Sequence, residues 1–70
     1  MKTVVMYDKH SGKTLKIFNS VANAGLWLYL NDYVYNEKTG ANGVTKNCLG
    51  YTKSAYGFCF EYVDKERKIA

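Results

Sequence analysis

The chain has 70 residues, a formal net charge of +4 and a pI near 9.1, a length that holds one hydrophobic core and excludes two. No apolar stretch is long enough to cross a bilayer, and the opening "MKTVVMYDKH" is interrupted by Asp8 and Lys9, which excludes the long apolar region of a signal peptide. These features predict a cytoplasmic protein with no membrane partner, and the surplus of lysine suits an anionic one.

The first two elements are β-branched or aromatic runs, residues 3–7 ("TVVMY") and 14–18 ("TLKIF"), separated by the turn residues "DKHSGK". They read as an antiparallel hairpin. Leu15 and Ile17 flank Lys16, an alternation that predicts a half-buried strand with one wet face. Asp8 and Gly12 fit a loop needing side-chain capping and one residue at positive φ.

A helix follows directly in "NSVANAGLWLYLN", with Ser20 as N-cap and an end near Leu30. Val21, Ala24 and Leu28 recur at i, i+3 and i+7 and make its inner face. Ala24 and Gly25 are small enough for another element to approach closely; Gly25 costs about 1 kcal/mol of helix propensity, which close packing would offset. Residues 31–41, "NDYVYNEKTGA", read mainly as loop. A second helix is predicted over 42–49, capped by Asn42 or Thr39 and stopped by Gly50. Val44 and Cys48 would face inward, with Thr45, Lys46 and Asn47 outside.

The last strand, "GFCFEYV", puts Phe58, Phe60 and Tyr62 on one face and Cys59, Glu61 and Val63 on the other. Residues 64–70 lack an apolar period and are expected to be a flexible tail to a module spanning 1–63. The predicted fold is α+β, in the order β-β-α-α-β, with a small antiparallel sheet carrying a helix pair on one side. Seven Tyr, three Phe and one Trp supply the core. Cys48 and Cys59 sit at apolar positions, where free cysteine acts as a small buried hydrophobe. With His10 in a turn, they leave too few ligands for zinc, so neither metal nor cofactor is expected.

Two successive helices, the second short and polar outside, are the arrangement of a helix-turn-helix reader of duplex DNA. Lys46 can donate to phosphate or guanine, Asn47 can pair bidentately with adenine, and Thr45 can bond to either. Lys53 and the cap at Asn42 can anchor phosphates. Lys13 and Lys16 in the hairpin, with Lys38 before the second helix, complete the positive charge. Catalysis is not expected, because a lone His10 without paired carboxylates or a glycine-rich loop makes no acid–base constellation.

The stretches "VVMYDKHSGKTLKIFNSVANAGLWL" and "GVTKNCLGYTKSAYGFCFEY" resemble the nuclease-associated modular DNA-binding domain at the C-terminal end of some homing endonucleases. The likeness lies in the Tyr-Asp and Gly of the hairpin turn, then Phe18, Ser20, Ala24, Trp27 and Leu28. It continues with a short helix ending at Gly50, then Lys53, and the Gly57-Phe58-x-Phe60-x-Tyr62 strand. It implies a hairpin plus helix-turn-helix module that tethers a nuclease to its site, with the recognition helix on 42–49. The chain departs from the family pattern at Asn23, where an acidic residue is favoured, and in an interval of 31–42 longer than a tight turn. No nuclease domain is expected ahead of the module.

The first helix also carries Leu26, Tyr29 and Leu30, with Tyr33 close behind. If exposed, they form a patch for a protein partner or a homodimer. If residues 31–41 fold back, Tyr33 and Tyr35 cover them.

Overall fold

The computed structural model describes residues 2–63; the predicted tail at 64–70 lies outside the described residues. Strands β1 (Thr3–Asp8) and β2 (Thr14–Phe18) form the hairpin. Its turn is closed by Asp8, whose carboxylate accepts from the backbone N–H groups of Ser11 (2.7 Å) and His10 (3.2 Å). Those bonds, that from Ser11 first, hold the Asp8 carboxyl below its ordinary range. Strand β3 (Phe58–Val63) pairs antiparallel with the other edge of β1, giving the order β2-β1-β3. Helices α1 (Val21–Leu30) and α2 (Glu37–Cys48) lie between β2 and β3 in sequence. The fold is the expected β-β-α-α-β, α+β arrangement.

Both helices begin and end by the same devices. The Ser20 hydroxyl accepts from Asn23 N–H (3.2 Å), and the Asn36 amide oxygen accepts from Thr39 N–H (2.8 Å). Each relieves one unpaired donor of a first turn. At the far ends, Tyr33 N–H donates to Leu28 C=O and Asp32 N–H to Tyr29 C=O; Tyr51 N–H donates to Lys46 C=O and Gly50 N–H to Asn47 C=O. These are two Schellman closures. The left-handed residue is Asp32 (φ 64°) in the first and the predicted Gly50 (φ 88°) in the second.

The N-terminus of α2 differs from the sequence expectation. The helix starts at Glu37 rather than 42, and its cap is Asn36, not Thr39 or Asn42. The connection between helices is therefore residues 31–36, and the long interval inferred from the sequence is mostly helix. Its cause is tertiary. Gly40 meets the backbone of Gly25, and a Cβ on Gly25 would lie 2.6 Å from both Ala41 N and Glu37 O. Two glycines that weaken each helix in isolation let the backbones touch.

One face of the sheet supplies Val4 and Met6 from β1, Phe18 from β2 and Phe60 from β3. Leu28 of α1 and Val44 of α2 close the core over them, both fully buried. Trp27 stacks on Tyr33 (5.7 Å between centroids) and meets Phe58 edge-on (6.0 Å), so aromatic rings wall the rim. The side of β2 reverses the sequence reading. Phe18 is its buried residue, while Ile17 is 62% and Leu15 48% exposed. Ile17 pairs with Val5 on the face away from Val4 and Met6, and the register shifts between Met6 and Tyr7, leaving Leu15 as the extra residue of a bulge. Lys16 sits opposite Met6 with its ammonium 6.0 Å from the Phe18 ring centroid.

Candidate nucleic-acid interface

The extra turns of α2 rearrange the outer face on which a reader would rely. At 3.6 residues per turn, positions 38, 42 and 46 fall within about 80° of one another. Lys38, Asn42 and Lys46 are all exposed along this line. The Asn42 amide has no hydrogen-bond partner in the protein among the described residues, so its donor and acceptor are both presented to the outside. Asn42 is thus a mid-helix surface residue rather than a cap. Glu37 lies at the start of the same helix, where a carboxylate suits the positive end of the dipole.

Asn47 was expected outside with Thr45 and Lys46, and it is not. It is half-buried; its Nδ2 donates to the Thr52 carbonyl (2.9 Å), and its Oδ1 accepts from the Phe60 N–H (2.6 Å). One amide thereby ties the end of α2 to the following loop and to a backbone donor on the free edge of β3. The bidentate pair that adenine would need is already spent within the protein. Thr45 is also half-buried, its hydroxyl donating to Ala41 C=O (2.9 Å) within the helix.

The loop after α2 folds back along it. Tyr56 packs over Gly43 so closely that a Cβ there would overlap the ring, and its hydroxyl donates to Thr39 C=O (3.1 Å). An open groove runs between helix and loop, lined by Asn42 and Lys46 on one side and by Thr52, Ser54 and Tyr56 on the other. Lys53 is exposed on this loop, beside the last turn of α2. Lys38 and Lys46 thus share one helix face, with Lys53 on the loop that follows the helix. Lys13 and Lys16 are exposed as well, but at the opposite edge of the sheet. Helix α2 packs on α1 and β3 and does not touch β2. Of the eight residues singled out by sequence, the structure groups Lys38, Asn42 and Lys46 on one face of α2, leaves Lys53 on the loop after it, sets Lys13 and Lys16 apart, and turns Thr45 and Asn47 to internal bonds.

Cys48 and Cys59 are free and half-buried rather than fully buried. Burial, then the negative charge of Glu61, pushes the Cys48 thiol up to about 11. The Tyr7 hydroxyl, which donates to Glu61 (3.3 Å), is raised by desolvation and then by the same carboxylate. Among the described residues no three His, Cys, Asp or Glu side chains come close enough to hold a metal ion, and no helix is long and apolar enough to cross a membrane.

The apolar flank of α1 is only partly covered. Tyr33 stacks on Trp27 and meets Phe58 edge-on (5.4 Å), so it seals the core rim. Tyr35 is 94% exposed and covers nothing, which leaves Leu30 at 66% and Tyr29 at 43% exposure.

Comparison of the chain with protein-family models, curated proteins and solved structures gives no match.

Proposed function

We propose that the protein is a helix-turn-helix module that binds duplex DNA through the outer face of α2. The observation that carries this reading is the exposed Lys38–Asn42–Lys46 line, on a helix locked at both ends and pressed onto α1 through Gly25 and Gly40. A major groove admits one helix, provided that a second helix holds it without intruding. Here α1 supports and α2 projects. The lysines supply the sequence-independent attraction to phosphate, and an unspent amide between them has the donor and acceptor that base edges require. The order of short motifs resembling a nuclease-associated DNA-binding module is compatible with this role. The reading is of a binder without chemistry of its own.

The test is a fluorescence titration of the chain against random-sequence duplex DNA at low and at physiological salt. Binding at low salt that weakens as salt rises is expected. No binding at low salt overturns the reading.

A second reading is favoured by the exposed Leu26, Tyr29 and Leu30 on α1: this flank docks a protein, a second copy included. Sedimentation of the chain beside Leu30→Glu tests the second-copy case, for which an assembly lost on substitution is the expected sign.

A further inference from the structure

We propose that the groove between α2 and the loop after it binds the phosphate backbone of one DNA strand, with the Lys46 ammonium and the Thr52 and Ser54 hydroxyls donating to it. The inference rests on the proposed binding of duplex DNA by α2 and adds which strand is held, and by what.

The groove is polar and carries one sign of charge. Thr39, Asn42, Thr52, Ser54 and Tyr56 line it with hydrogen-bonding groups; among the described residues Lys46 brings its only charge, and no Asp or Glu reaches it. The Thr52 and Ser54 hydroxyls have no partner in the protein among the described residues, so both remain available as donors. A phosphate oxygen accepts from lysine and hydroxyl alike, and such charge-assisted bonds are about twice as strong as neutral ones. The wall that carries the hydroxyls is braced within the fold. Asn47 Nδ2 donates to the Thr52 carbonyl (2.9 Å), and the Cys59 thiol to the Lys53 carbonyl (3.5 Å). Beyond Ser54, the buried Ala55 exchanges two backbone bonds with Phe58 (2.8 and 2.9 Å), across Tyr56 and Gly57 in left-handed conformation (φ 52° and 91°). Tyr56 then crosses to α2, where its hydroxyl donates to Thr39 C=O (3.1 Å). Groups fixed in this way lose little freedom on binding.

The other flank of α2 is different. Its hollow is lined by Ala22 and Tyr29 of α1 and by Asn36, Glu37, Lys38 and Ala41. There the Glu37 carboxylate offsets the Lys38 ammonium, the Asn36 amide oxygen is taken by the helix cap, and α1 offers a methyl and a ring in place of hydroxyls. A helix in the major groove lies between two phosphate backbones. Only one of them would meet a braced row of donors; the other would meet Lys38, a flexible point charge. The groove also runs open along the helix, so a continuous phosphodiester chain can pass through it, which a free phosphate ion would not need.

The experiment begins with a duplex selected by the chain from a randomised pool. Its phosphates are replaced singly, on each strand, by methylphosphonate, which removes the charge and keeps the backbone. One phosphate on one strand is expected to lose about tenfold in affinity, the worth of a hydrogen bond to a charged group. Across the contacted groove, no phosphate of the other strand should lose more than about threefold, the worth of one exposed charge pair. Ser54→Ala and Thr52→Val should each weaken binding of the unmodified duplex about fivefold. Ser54→Ala and Lys46→Ala should each shrink the loss at the sensitive phosphate, whereas Lys38→Ala should leave it whole. Circular dichroism verifies that the variants fold, and Thr52→Val, at an exposed position, tests the same wall should Ser54→Ala not fold. If sensitive phosphates lie equally on both strands of the contacted groove, or if the folded wall variants keep the parent's affinity, the inference is overturned while DNA binding stands. Failure of the parent chain to bind any duplex overturns both.

Discussion

Asn42 and Asn47 are the same side chain five residues apart on one helix, and their surroundings give them opposite work. Asn47 satisfies the Phe60 N–H and the Thr52 carbonyl at once. Asn47→Ala leaves the part-buried Phe60 N–H without its partner, while the exposed Thr52 carbonyl can turn to water, and an unmade buried hydrogen bond costs about 1–3 kcal/mol. Asn42→Ala removes nothing that the fold uses, and an exposed substitution of this kind falls within about 0.5 kcal/mol of the parent. Urea denaturation of both variants reads the contrast; equal midpoints would show that the Asn47 amide does not clamp the helix. Cys48 gives a second residue-scale expectation. Its thiol keeps its proton up to about 11 in the folded chain, against an ordinary 9.0. Between those values the unfolded chain has released a proton that the folded chain still holds. Stability from this group is therefore complete below pH 9 and falls as pH rises toward 11. Cys48→Ala should flatten that alkaline decline, measured as melting temperature against pH. A decline as steep as the parent's would assign it to other groups, the raised Tyr7 first among them.

At the scale of elements, the crossing of α1 and α2 is set by two glycines. By propensity alone Gly25→Ala would stabilise α1 by about 1 kcal/mol. Its new methyl would meet Ala41 N and Glu37 O at 2.6 Å, and both are backbone atoms that no rotamer change can move aside. Overpacking of this kind typically costs about 1–3 kcal/mol, so the clash outweighs the propensity. A lowered melting temperature is expected, and an unchanged one would mean that the helices separate freely. This crossing also marks where the sequence stops being legible. The Ser20 cap, the Gly50 stop and the alternation of β3 were readable because each signal is complete within a few residues. The start of α2 was not, because Gly40 looks like a helix breaker until Gly25 is seen against it. The inward turn of Asn47 was hidden for the same reason, since its partner lies thirteen residues on. The exposed side of β2 was misread because a bulge breaks the simple alternation. The lysine line on α2 follows from the sequence at once when the helix is started at 37, with spacings of four and four.

At the scale of the molecule, charge falls into two groups. Lys38 and Lys46 stand on the outer face of α2 with Lys53 on the loop that follows it, while Lys13 and Lys16 belong to the hairpin edge that α2 does not touch. A duplex seated on α2 therefore meets the first group and not the second. The salt dependence of binding counts the difference, because each phosphate contact contributes about −0.9 to the slope of log K against log[salt]. Three contacts give a slope near −2.7, and all five lysines would give about −4.5. The first value is expected. Lys13→Ala with Lys16→Ala should leave both slope and affinity nearly unchanged, whereas Lys46→Ala should weaken every sequence alike and flatten the slope by about one contact. A slope near −4.5 that drops on substitution of the hairpin pair would show a duplex lying across both edges. The face of α2 would then be one side of a wider footprint rather than the whole of it.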